Sequence, residues 1–81
     1  PFNPNTTLRI DLLRSDAVHL VIFDATGQVI RTLLHDTLPA GVHTMYWDGR
    51  DAKGHRVGSG TYFARLAGTG WQADRKMLLL R

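Results

Sequence analysis

Cysteine is absent from all 81 residues, which removes disulfides, thiolate metal sites and a cysteine nucleophile together. Small exported domains often depend on disulfides, so this absence argues slightly against export while fixing no compartment. Glutamate is missing as well, and with it the bidentate ligand that closes an EF-hand calcium loop. No apolar stretch approaches the roughly 20 residues needed to span a bilayer, so no membrane span is expected. The chain does not open on a basic, apolar, small-residue signal pattern. Nowhere do apolar residues recur at helical spacing over a useful length. The net charge of +3 is spread singly among aspartates, with Arg75 and Lys76 the one adjacent basic pair. That scatter excludes a basic stripe, and no nucleic-acid partner is expected.

What is present is the composition of a packed domain, 43% hydrophobic and 21% charged, too apolar for a disordered chain. A length of 81 residues is that of one domain, burying about 60% of the surface its unfolded form exposes. Pro1 is not an initiator and opens a polar Pro-Phe-Asn-Pro-Asn-Thr-Thr segment, so residues 1–81 are expected to be a single domain cut from a longer secreted polypeptide.

Alternation sets the elements. Leu8, Ile10 and Leu12 alternate with Arg9 and Asp11, the pattern of a half-buried strand. Val18, Leu20 and Ile22 point inward from a second run in which Val21 and Phe23 make the other face apolar too, predicting a central strand covered on both sides. Asp24 to Gly27 make a short turn with glycine where a positive φ is needed, and the run from Gln28 to Leu34 returns as the second arm of a hairpin. Ile30 and Leu33 break strict alternation there, so either a bulge re-aims Leu33 or the strand stops early. After Leu38-Pro39-Ala40-Gly41, the residues His43, Met45 and Trp47 share one face and Val42, Thr44 and Tyr46 the other, with Trp47 a core anchor. Residues 48–60 are glycine-rich and irregular, with His55 to Val57 at most a short edge strand. Tyr62, Ala64 and Leu66 resume the inward face. Gly68-Thr69-Gly70 then turn the chain into a last strand from Trp71 to Leu80. The expected fold is all-β, an immunoglobulin-like antiparallel β-sandwich of six to seven strands.

The candidate chemistry is sparse. His19, His35, His43 and His55 fall on separate strands and loops without the short spacings of zinc sites, which reads as surface or half-buried histidine. Asp48 and Asp51, three apart in a loop containing Gly54, are a candidate pair of oxygen ligands for calcium. Between and beside them Gly49, Arg50, Ala52 and Lys53 offer no side-chain ligand, and two of these are cationic. Aspartates capping turns through backbone amides are the preferred reading, and no other metal site is expected. Ser15 and Ser59 lie in polar turns without a nucleophile elbow, and the glycines near Gly58 and Gly60 lack the Gly-Lys-Ser/Thr element and following helix of a phosphate loop. No enzyme activity and no cofactor are expected. Tyr46, Trp47, Tyr62, Phe63 and Trp71 are candidates for a sugar-stacking platform, although packing accounts better for Trp47 and Tyr62.

An ordered series of residues carries a family likeness over nearly the whole chain. It runs from the Pro1 to Thr7 entry through Asp24 and Gly27, then Pro39, Ala40, Gly41 and His43, then Trp47, Asp48, Gly49, Asp51 and Gly54. Gly58, Ser59, Gly60, Thr61 and Tyr62 follow, and Arg75 to Arg81 close it. The series resembles the C-terminal sorting domains of type IX secretion and their relatives with the flagellar-hook-capping immunoglobulin-like fold. The resemblance implies a noncatalytic sorting and cell-surface attachment module of an exported bacterial protein, placed outside the outer membrane. Its implied partners are secretion or surface-anchoring proteins and a preceding cargo domain in the same chain. In that family the recognition signature falls on Gly60, Tyr62, Lys76, Met77, Leu78, Leu79, Leu80 and Arg81. A carbohydrate-binding or spacer module of a secreted glycoside hydrolase is the alternative expectation, and a structural domain of an extracellular assembly a further one.

Overall fold

The computed structural model describes residues 6–80. They form six strands: β1 (Thr6–Leu12), β2 (Asp16–Asp24), β3 (Val29–Leu38), β4 (Gly41–Trp47), β5 (Gly60–Gly68) and β6 (Trp71–Leu79). All pair antiparallel, β1 with β4 as a two-stranded sheet and the others as a four-stranded sheet in the order β3-β2-β5-β6. The immunoglobulin-like sandwich expected from alternation is the fold.

Alternation places the core between the sheets. Leu8, Ile10 and Leu12 of β1 and Trp47 of β4 meet Val18, Leu20 and Ile22 of β2, Tyr62 and Ala64 of β5, and Met77 and Leu79 of β6. All are buried, and among the described residues no polar or charged one is buried with them, so the core owes its cohesion to apolar area removed from water. Strand β2 is central in its sheet, but Val21 and Phe23 on its other face are only half-buried. The expectation of cover on both sides fails because the sandwich has two layers and that face looks outward.

The break in alternation along β3 is a double bulge. Leu20 faces Leu34 and Val21 faces Thr32, leaving Leu33 as an extra residue; Ile22 faces Arg31 and Phe23 faces Val29, leaving Ile30 as another. Each inserted residue shifts the phase of the strand, and Ile30, Leu33 and Leu34 all pack against the core. Strand β3 therefore continues to Leu38. The expected short strand at His55 to Val57 is reduced to a single bridge between Arg50 and Arg56.

At one pole of the sandwich, the β5–β6 turn is tied to the start of β2. Asp16 accepts hydrogen bonds from the Thr69 amide and hydroxyl, the latter at 2.8 Å, and from Trp71 Nε1 at 2.8 Å. The Trp71 indole lies over Gly68, its cross-strand partner, where a Cβ would overlap the ring. Gly68→Ala is expected to displace the indole from Asp16 and cost about 1–3 kcal/mol, the range for overpacking a filled site. Denaturant unfolding checks the loss, and an unmoved Trp71 indole N–H resonance in the variant would refute the mechanism.

Candidate functional site

The irregular segment 48–59 is the part of the chain with most freedom to carry function, and its order comes from side chains that serve backbone. Trp47 Nε1 donates to the Arg50 carbonyl at 2.9 Å, and Tyr62 Oη donates to the Gly58 carbonyl at 2.7 Å. The two rings meet edge to face with centroids 5.1 Å apart, a favoured aromatic geometry. One aromatic pair thus holds both ends of the segment onto the core.

Within the segment, Asp51 closes a turn on itself. Its Oδ1 accepts from the amides of Lys53 and His55, both at 2.9 Å, while the Gly54 amide donates to the Asp51 carbonyl. The β2–β3 hairpin repeats this arrangement. Asp24 Oδ1 accepts from the amides of Thr26 and Gln28, and the Gly27 amide donates to the Asp24 carbonyl. Gly27 at φ 90° and Gly54 at φ 85° supply the left-handed residue in each. The sequence signal for this pair is the repeated Asp-Ala-x-Gly at residues 24–27 and 51–54, which reading each turn separately overlooks.

Asp48, the other candidate calcium ligand, accepts through Oδ1 from Arg31 at 2.9 Å and from the Arg50 amide at 3.1 Å. Both candidate carboxylates are thus engaged by protein donors. Among the described residues no group of three or more His or Asp side chains is arranged to hold a metal ion.

The turn bonds leave an electrostatic trace. Asp16 is held below the ordinary aspartate value first by the Thr69 hydroxyl and then by the Trp71 indole. Asp24 is lowered first by the Thr26 hydroxyl and Asp51 first by the His55 amide. Bonds that favour the ionised form in the fold contribute stability above the unfolded-state pKa and lose it as pH falls through the lower folded-state value. The thermal midpoint is therefore expected to fall as pH drops below about 4. In an Asp16→Asn, Asp24→Asn, Asp51→Asn variant this acid limb should flatten; an undiminished limb would show that other groups cause it.

The remaining site expectations separate in space. Tyr62, Met77 and Leu79 are buried in the core, whereas Lys76, Leu78 and Leu80 are exposed. Gly60 opens β5, and Arg81 lies outside the described residues. The aromatic candidates form no platform. Tyr46 stands on the outer face of the two-stranded sheet and Phe63 on the outer face of the four-stranded one, while Trp71 caps the far pole, 38% exposed. Beside Trp71 an open depression of about 590 Å³ is floored by Leu12, Leu13, Asp16 and Thr69, without a paired nucleophile and base.

Fold and surface together define a small immunoglobulin-like β-sandwich in which Asp16, Asp24, Asp48 and Asp51 cap its own turns. The model of the FlgD Ig-like domain family matches residues 5–70, and the chain belongs to that family. It is 46% identical over 48 residues to the basal-body rod modification protein FlgD of Salmonella typhimurium, and equally to that of Salmonella typhi. The aligned residues are 59% of this chain and 21% of those proteins, so the match spans about a fifth of their length. The structure of FlgD from P. aeruginosa superposes with a TM-score of 0.67 over 93% of this chain and 59% of that one, at 24% identity, a likeness of fold.

These findings overturn the type IX sorting and surface-attachment reading. With it fall the expected secretion and surface-anchoring partners and the secreted or cell-surface location. The glycoside hydrolase alternative falls too, in keeping with the dispersed aromatics. The physical reason is that the residues behind the sorting likeness are those any domain of this fold needs. Asp24, Gly27, Asp51 and Gly54 close turns, and Trp47 and Tyr62 fill the core. Such residues report fold and do not discriminate between functions. No helix among the described residues is long and apolar enough to cross a membrane.

Proposed function

We propose that the chain is a noncatalytic structural module, a rigid immunoglobulin-like unit of a longer polypeptide that acts at the flagellar basal body, as its FlgD relatives, the basal-body rod modification proteins, are named for doing. The observation that carries this reading is the family match over residues 5–70 joined to 46% identity with the Salmonella proteins. The geometry supports it: among the described residues the core holds no buried polar or charged residue and the turns are self-capped, which makes a stiff body. Of the signature residues expected at the end of the chain, Lys76, Leu78 and Leu80 are exposed and available as contacts in such an assembly.

Exchanging residues 6–80 for the matched segment of the Salmonella typhimurium protein tests the reading. The chimera is expected to restore motility to a strain lacking its own copy. A chimera that accumulates normally yet leaves the cells nonmotile would refute it.

A further inference from the structure

Two of the four histidines, sixteen residues apart in sequence, are brought together by the β2–β3 pairing. His19 and His35 are direct cross-strand partners, both exposed, on the outward face of the four-stranded sheet. Their ring centroids are 3.9 Å apart with planes tilted by 38°. His43 differs, since its Nε2 lies 2.8 Å from the Pro39 carbonyl. Among the described residues no hydrogen bond engages the ring of His19 or His35. Their outward-facing neighbours in the register are Ala17, Val21, Thr32, Thr37, Ala67 and Gln72, none of them charged, and, diagonal to His19 beside Val21, Arg65, whose guanidinium is engaged by Asp74 at 3.0 Å.

Two imidazole nitrogens ligating one ion at about 2.0–2.1 Å each must lie about 3 Å apart. Rings already 3.9 Å apart between centroids reach that separation by side-chain rotation alone, because the paired backbones fix the two Cβ positions. We propose that His19 and His35 form a two-imidazole chelate for a borderline divalent transition-metal cation, preferring Cu2+, with the remaining coordination positions open to solvent. Imidazole donors select this class over Ca2+ or Mg2+, and copper leads the divalent series in affinity for nitrogen ligands. Sequence spacing conceals the pair because the chelate runs across strands.

The test is titration of the untagged chain with CuSO4, followed by calorimetry and by paramagnetic broadening of amide resonances. One equivalent is expected to bind, with broadening centred on His19, His35 and Ala67. Either His19→Gln or His35→Gln should weaken binding by about a hundredfold, the lower end of the gain from linking two donors. His43→Gln and His55→Gln should leave it unchanged. Absence of saturable binding, broadening centred on the N-terminal amine, or an affinity in His19→Gln or His35→Gln unchanged from that of the unsubstituted chain would each overturn the proposal. The two variants lie on different strands at exposed positions, so retained thermal midpoints separate loss of the chelate from loss of the fold.

Discussion

Trp47→Ala is expected to lower the stability of the domain by about 3–5 kcal/mol, the range for truncating a buried large aromatic to alanine. Trp47 is fully buried, the largest side chain so enclosed among the described residues, and three losses coincide when it goes. Its volume leaves a cavity, the edge contact with Tyr62 disappears, and the Arg50 carbonyl loses the indole donor. A domain of 81 residues has on the order of 4–12 kcal/mol in total, so the variant should sit near the limit of folding, with a thermal midpoint lowered by about 10 °C or more. Trp47→Phe keeps much of the apolar volume and drops the donor, so its loss should be the smaller. Chemical denaturation of both variants checks the ordering. A Trp47→Ala loss below about 1 kcal/mol, no more than an average substitution costs, would mean that segment 48–59 and the core do not depend on this residue.

Ile22→Ala should follow at about 2–5 kcal/mol. Ile22 is fully buried on β2, which lies between β3 and β5, so no free edge allows the site to collapse around the deleted carbons. Leu78→Ala provides the contrast: Leu78 is 66% exposed, and its removal should stay within about 0.5 kcal/mol. Equal losses at the two positions in urea unfolding would contradict the inward and outward assignment of β2 and β6.

The parts of the fold legible in the sequence are those fixed by a local period or a local turn. Leu8-Ile10-Leu12 and Val18-Leu20-Ile22 reveal their buried faces by alternation alone, and Gly27 and Gly70 mark hairpins through the positive φ each adopts. What depends on pairing between strands was not legible. Nothing near Ile30 or Leu33 chooses between a bulge and a strand end until Leu20 is set against Leu34. Asp16 reads as a polar break because its partners Thr69 and Trp71 lie 53 and 55 residues away. His19 and His35 look unrelated for the same reason. Function was the least legible, because the ordered turn residues satisfy the backbone in either family and only similarity along the whole segment distinguished them.

The two bulges in β3 bear also on how the molecule behaves when crowded. Four of the six strands, β1, β3, β4 and β6, border an open sheet edge, and an open edge is a template on which further chains can stack into fibrils. Along β3 the extra residues at Ile30 and Leu33 interrupt the regular spacing of outward amides and carbonyls, and the Ala52 amide already occupies the Ile30 carbonyl. The irregularity that turns those side chains inward thus also makes β3 a poorer template for a further strand.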